Sequence, residues 1–282
     1  MTADLPVLIE AAELAEQLAT DRRPVLADVR WTLGGPPGLA DYEAEHIPGA
    51  HWVDLELNLS AAPGAGGRHP LPDPARFQTA MRAIGVCRDR PVVAYDAGSS
   101  LAAARLWWLL TDSGHDAVRV LNGGLAAWRA AGLATESGPS PVAAPSDFVA
   151  QPGQRAQLSA DQIAADLAGD WRLRLVDVRA PERYSGESEL IDPVAGHIPG
   201  AVNLPSMDNL DADGRFLDGS AIARRFTGAG VDTDVVLYCG SGVTAAHSLL
   251  ALESAGLNGA IYPGSWSDWI ADPRRPVATG SA

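Results

Sequence analysis

Short runs of consecutive apolar residues alternate along this chain with stretches whose apolar positions recur at helical spacing. Residues 7–9, Val25–Asp28, Val92–Tyr95, Val118–Leu121 and Val235–Tyr238 are of the first kind, which predicts short buried strands. Residues 11–20, 101–110 and 160–167 are of the second kind, with Ser159 as a good N-cap and Ser113-Gly114 as a stop. From about Thr244 another helix is predicted, carrying Ala245, Leu249 and Leu252 at helical spacing and ending at Gly256. Strands alternating with helices imply an α/β fold in which a mostly parallel sheet is flanked by helices.

The pattern is written twice. Val25-Leu-Ala-Asp28-Val29-Arg30 recurs as Leu175-Val-Asp177-Val178-Arg179, and His46-Ile-Pro-Gly-Ala50 recurs unchanged as His197-Ile-Pro-Gly-Ala201. Val92-Val-Ala-Tyr95-Asp96-Ala-Gly-Ser99 answers Val235-Val-Leu-Tyr238-Cys239-Gly-Ser-Gly242, and the segment around Trp128 answers that around Trp269. These landmarks keep their order and a nearly constant offset, so the chain reads as a tandem duplication. The predicted boundaries are residues 1–135 for the first domain, 136–147 for a solvated linker rich in Pro, Ser and Ala, and 148–282 for the second. Trp107, Trp108, Trp128, Trp266 and Trp269 are expected in the cores, because they sit at paired positions in the repeats.

At 282 residues the chain has ample length for two such cores. Its net charge of −14 speaks against nucleic acid or an anionic membrane as partner. The first residues lack the basic start and apolar core of a signal peptide, and the most apolar run, 101–110, is too short to span a bilayer. Two cysteines, Cys87 and Cys239, are too few for a disulfide framework and fit a reducing cytoplasm. No metal-ligand or nucleotide-binding motif is present, so neither a metal nor a cofactor is expected.

Chemistry concentrates at one point. Cys239 ends the predicted strand Val235–Tyr238 and opens a Gly240-Ser241-Gly242 turn before the next helix. There, loop N–H groups and the positive helix end can face the sulfur and favour its thiolate, the nucleophilic form. Cys87 has no such surroundings. The duplication supplies a control, because the first copy carries Asp96 where the second has Cys239. The copies therefore share a scaffold and differ at the position able to do thiol chemistry. Asp28, Arg30, Asp177, Arg179 and His197 belong to shared motifs and are expected to be architectural. His46 is kept as a candidate because a loop of one domain could face the cysteine of the other.

Taken together these landmarks resemble the rhodanese superfamily: two tandem rhodanese-like domains, the first inactive with Asp96 and the second catalytic with Cys239. Cys239-Gly-Ser-Gly-Val-Thr-Ala245 is similar to the active-site loop of the 3-mercaptopyruvate sulfurtransferases. The resemblance implies a Cys239 persulfide that carries sulfur from a small donor to cyanide, a small thiol or a protein thiol such as thioredoxin. It implies loop contacts from Gly240, Gly242, Val243 and Thr244, a proton relay through Ser241 and His46, and Arg183 as one of two arginines on the substrate carboxylate. The segment expected to carry the second arginine, residues 187–196, has none and bears three acids. Thiosulfate-preferring members carry Arg-Lys after the cysteine, where this chain has Gly240 and Ser241, so 3-mercaptopyruvate is the expected donor and thiosulfate the alternative. A fold-related phosphatase would need arginine where Ala245 stands. A non-enzymatic sulfur carrier or protein-binding module is the remaining reading from another class.

Overall fold

The computed structural model describes residues 6–21, 23–144, 146–169, 172–231 and 235–280; residues 1–5, read above for a leader, lie outside these. Two compact units form: Met1–Ser60 with Pro72–Gln154 and Asp211–Phe216, and Ala61–Leu71 with Arg155–Leu210 and Leu217–Ala282. Neither unit is a single stretch of sequence. The short segment Ala61–Leu71 is thus counted with the second unit although it lies in the first half of the chain.

The first unit is built on strands β1 Leu8–Ile9, β2 Val25–Asp28, β3 His51–Trp52, β4 Val92–Tyr95 and β5 Val118–Leu121. They pair in the order β1-β5-β4-β2-β3, every pair parallel. The second unit has β6 Arg174–Asp177, β7 Val202–Asn203, β8 Val235–Tyr238 and β9 Ala260–Ile261 in the order β7-β6-β8-β9, again parallel. Helices cover both faces of such a sheet, so a strand inside it can be buried along its whole length instead of alternating. All four residues of β4 and of β8 are buried accordingly.

The predicted helices form as Ala11–Leu18, Leu101–Asp112, Ala160–Ala168 and Val243–Ser254. Ser159 caps the third through a reciprocal box with Gln162, each side chain meeting the other's backbone. All five paired tryptophans are buried, and Trp128 and Trp269 each donate an indole N–H to a backbone carbonyl, of Ala134 and Pro276. The stretch expected as a solvated linker starts out held on the first unit: Glu136 exchanges backbone hydrogen bonds with His46, and Gly138 N–H donates to Glu43. Phe148, expected to open the second unit, packs edge-on to Phe77 at 6.2 Å in the first, because an aromatic ring is available there.

The duplicated motifs do the same work in both units. Asp28 and Asp177 end their strands fully buried and grip Arg30 and Arg179 through the guanidinium fork. Burial pulls the Arg179 pKa down, but the charge and hydrogen bonds of Asp177 outweigh it and leave it raised. The Tyr95 and Tyr238 hydroxyls each accept the backbone N–H of the isoleucine in His-Ile-Pro-Gly-Ala, both at 3.1 Å. Burial holds both phenols protonated well beyond their ordinary range. Asp177→Asn strands Arg179 in the interior without its closest counter-charge, and is expected to lower the unfolding free energy by about 3 kcal/mol in urea titration. A change near zero would show that Glu189, 3.5 Å away, suffices.

Candidate active site

β8 delivers Cys239 to the carboxyl end of the second sheet, the edge at which parallel α/β folds bind ligands. Its backbone is pinned on both sides: Cys239 N–H donates to Ser265 Oγ at 3.1 Å, and Cys239 O accepts Trp266 N–H at 3.0 Å. Gly242, at φ 84, turns the chain so that its own N–H donates to Cys239 Sγ at 3.1 Å. A left-handed residue at this step is what only glycine supplies at no steric cost. The helix Val243–Ser254 starts at once, so Val243 and Thr244 contribute first-turn N–H groups that have no partner inside the helix. Ser265 Oγ lies 3.9 Å from Sγ and 2.9 Å from Tyr262 O, and its one proton serves either acceptor.

The sister loop shows what such a cradle holds. At the end of β4 the Asp96 carboxylate accepts backbone N–H bonds from Gly98, Ser100, Ala102 and Ala103. Burial raises its pKa, and these donors oppose the shift. Leu125 N–H meets Asp96 O at 2.9 Å just as Trp266 N–H meets Cys239 O. Gly124 and Ser265 therefore correspond, and both are left-handed, at φ 53 and φ 54. Only the second copy hangs a hydroxyl there, beside the sulfur.

Around Cys239 the structure gathers a polar set from the second unit. Ser241 Oγ lies 2.6 Å from His69 Nδ1, both residues buried. Arg183 chelates Glu189 through Nε and bonds Asp192 Oδ2 through Nη2 at 2.8 Å. Arg68 Nη1 bonds the other oxygen of the same Asp192. A methyl group on Gly240 would lie 2.7 Å from Arg68 Nη2 and 3.5 Å from both terminal nitrogens of Arg183. Gly240 thus leaves room for two guanidiniums next to the sulfur-bearing residue. The loop itself is neutral, as its sequence says, but its surroundings carry two positive and two negative side chains. Among the described residues no group of three or more His, Cys, Asp or Glu is placed to hold a metal.

One expectation needs correction. The histidine on Ser241 is His69, not His46. His46 keeps its ring in its own unit, stacked 4.0 Å from Tyr42, with Nδ1 on Tyr42 O at 2.7 Å and Nε2 3.3 Å from Glu136. His197 repeats this arrangement with Tyr184, stacked at 3.8 Å with Nδ1 on Tyr184 O. A histidine used identically in both copies is part of the scaffold. His69, Arg68 and Ser265 were missed: Ser265 differs from its counterpart Gly124 as Cys239 differs from Asp96, whereas His69 and Arg68 lie outside the motifs shared by the two copies.

The family described as Rhodanese-like domain matches residues 10–131 and again 159–272. A probable 3-mercaptopyruvate sulfurtransferase of Pseudomonas aeruginosa is 50% identical over 97% of this chain and 98% of its own length. A putative thiosulfate sulfurtransferase, SseB of Mycobacterium tuberculosis, is 45% identical with both chains fully covered. The solved structure of SseA from Escherichia coli, a 3-mercaptopyruvate sulfotransferase by its description, superposes with a TM-score of 0.82 at 32% identity, covering 93% of this chain and all of that one.

Gly242→Ala places a side chain at φ 84, which is expected to cost about 1 kcal/mol of stability and to turn the N–H away from Sγ. The alkylation rate of Cys239 by iodoacetamide, measured against Cys87 in the same molecule by peptide mass spectrometry, is expected to fall several-fold. An unchanged ratio would show that the Gly242 N–H does not activate the sulfur.

Proposed function

The chain belongs to the rhodanese family, and on that premise we propose that it is a sulfurtransferase in which Cys239 carries the sulfur as a persulfide. The observation that carries this reading is the cradle at the end of β8. It aims a backbone N–H at Cys239 Sγ, and its counterpart at β4 holds a carboxylate with four such donors. A site that holds an anion in one copy and a sulfur in the other suits a thiolate and the persulfide anion formed from it.

With 3-mercaptopyruvate as donor, the Cys239 thiolate attacks the substrate sulfur. A sulfur–sulfur bond forms, the carbon–sulfur bond breaks, and its electron pair passes into the enolate of pyruvate. Ser241, paired with His69 at 2.6 Å, is the group assigned to deliver the proton that turns the enolate into pyruvate. Gly240, Gly242, Val243 and Thr244 supply backbone donors and space, and Arg183 takes the substrate carboxylate. In the second half-reaction an acceptor thiolate or cyanide attacks the outer sulfur and regenerates the Cys239 thiolate, which is covalent two-step catalysis. We assign the acceptor side to small or protein thiols, thioredoxin among them, and the compartment to a reducing cytoplasm, because both cysteines, Cys87 and Cys239, are free. No helix among the described residues is long and apolar enough to cross a membrane.

Thiosulfate is the second reading, favoured by the two arginines at Gly240 and by the name of the mycobacterial relative. The charge balance ranks it lower. Glu189 and Asp192 already neutralise Arg183 and Arg68, which suits a donor with one negative charge better than a dianion.

Turnover measured as sulfur release from 3-mercaptopyruvate to a thiol should vanish in Cys239→Ser and persist in Cys87→Ser. Substantial activity in Cys239→Ser would defeat the assignment of the nucleophile. His69→Ala is expected to lower kcat by about 10²-fold or more, while His46→Ala keeps kcat within a few-fold and loses melting temperature instead. The reverse pattern would return the relay to His46.

A further inference from the structure

The second unit takes Ala61–Leu71 from the first half of the chain, and this segment is anchored against the catalytic loop's neighbour. Arg68 N–H donates to Ser267 Oγ at 3.0 Å, and Gly67, at φ 92, lies so close under it that a methyl group would meet Ser267 Oγ at 2.6 Å. Consecutive side chains then reach consecutive loop residues: Arg68 goes to Gly240 and His69 to Ser241.

We infer that Arg68 is the second arginine of the substrate-carboxylate clamp, with Asp192 as the residue that positions it beside Arg183. This rests on the sulfurtransferase reading above and adds to it the source of the missing cation. Asp192 gives one oxygen to each guanidinium, Oδ1 to Arg68 Nη1 and Oδ2 to Arg183 Nη2. Glu189 fixes the other side of Arg183 through Nε. Held this way, the two guanidiniums present terminal nitrogens to the same point over Gly240, one residue from Sγ.

Electrostatics run the same way. Burial lowers the Arg68 pKa, Cys239 raises it, and Arg183 lowers it. A half-buried guanidinium beside a second one is stabilised by an incoming anion. A carboxylate bridging two forks receives charge-assisted hydrogen bonds in a fixed plane, which selects an α-keto carboxylate over a neutral thiol of the same shape. The acids that replace the expected arginine in residues 187–196 thus acquire a purpose: two of them, Glu189 and Asp192, aim arginines that come from elsewhere.

The test compares 3-mercaptopyruvate with 1-mercaptopropan-2-one, which keeps the ketone and thiol and lacks the carboxylate. In Arg68→Gln the KM for 3-mercaptopyruvate is expected to rise about 10- to 100-fold, while kcat/KM for the ketone, which shares any effect on the sulfur, falls about tenfold less than kcat/KM for 3-mercaptopyruvate. Arg68→Lys should recover part of the loss, since charge returns without the fork. Equal losses on both donors, or an unchanged KM, would overturn the inference. Calorimetric titration with pyruvate gives a readout independent of turnover: about a tenfold or larger loss of affinity in Arg68→Gln supports the clamp, and unchanged affinity or no binding by the wild type refutes it. If the wild type binds pyruvate in an Arg68-dependent way yet releases sulfur from neither donor, the sulfurtransferase reading fails and the clamp stands.

Discussion

A buried charge at the end of a parallel strand survives only where the backbone can solvate it in place of water. Asp96 shows how this fold does so: four N–H groups from one tight loop and the following helix turn converge on its two carboxylate oxygens. Burial still drives its pKa upward, so these donors oppose the cost without removing it. In the second unit the same strand end carries Cys239, with Gly242 N–H on the sulfur. Sheet order, the fully buried strand β8 and the left-handed residues at 242 and 265 all serve to place that loop. The cradle is the constraint, and the anion it receives is the variable.

Around the sulfur-bearing copy, charges are arranged in pairs. Arg68 and Arg183 share Asp192, and Arg183 also holds Glu189. Such a network leaves the site close to neutral before substrate arrives, yet keeps guanidinium edges directed at Gly240. Donors that are fixed in advance need no reorganisation when charge moves onto the substrate. The arrangement also explains the small residue at 240, because a larger one would fill the space in which both guanidiniums end.

Much of this was legible in the chain itself. Apolar runs located the central strands, the duplication set two similar units, and the Asp96–Cys239 difference marked the position to which the proposed chemistry is assigned. His46 misled because a first-domain histidine suited the expected relay, yet its motif is shared with the second copy and its ring closes its own unit in both. His69 and Arg68 were hidden for a different reason. They sit in a Gly-rich segment without periodicity, and their meaning depends on Ala61–Leu71 grouping with the unit that carries the cysteine. No local pattern encodes that long-range grouping. Phe148 shows the same limit, since an aromatic ring packs on whichever core is nearest in space.

The central claim is that the cradle at the end of β8 receives a sulfur atom and holds it on Cys239. Mass spectrometry of the protein incubated with 3-mercaptopyruvate and no acceptor tests it most directly. The account predicts a gain of about 32 Da on the peptide containing Cys239, none on that containing Cys87, and its removal by cyanide. Release of pyruvate with Cys239 left unmodified would contradict it.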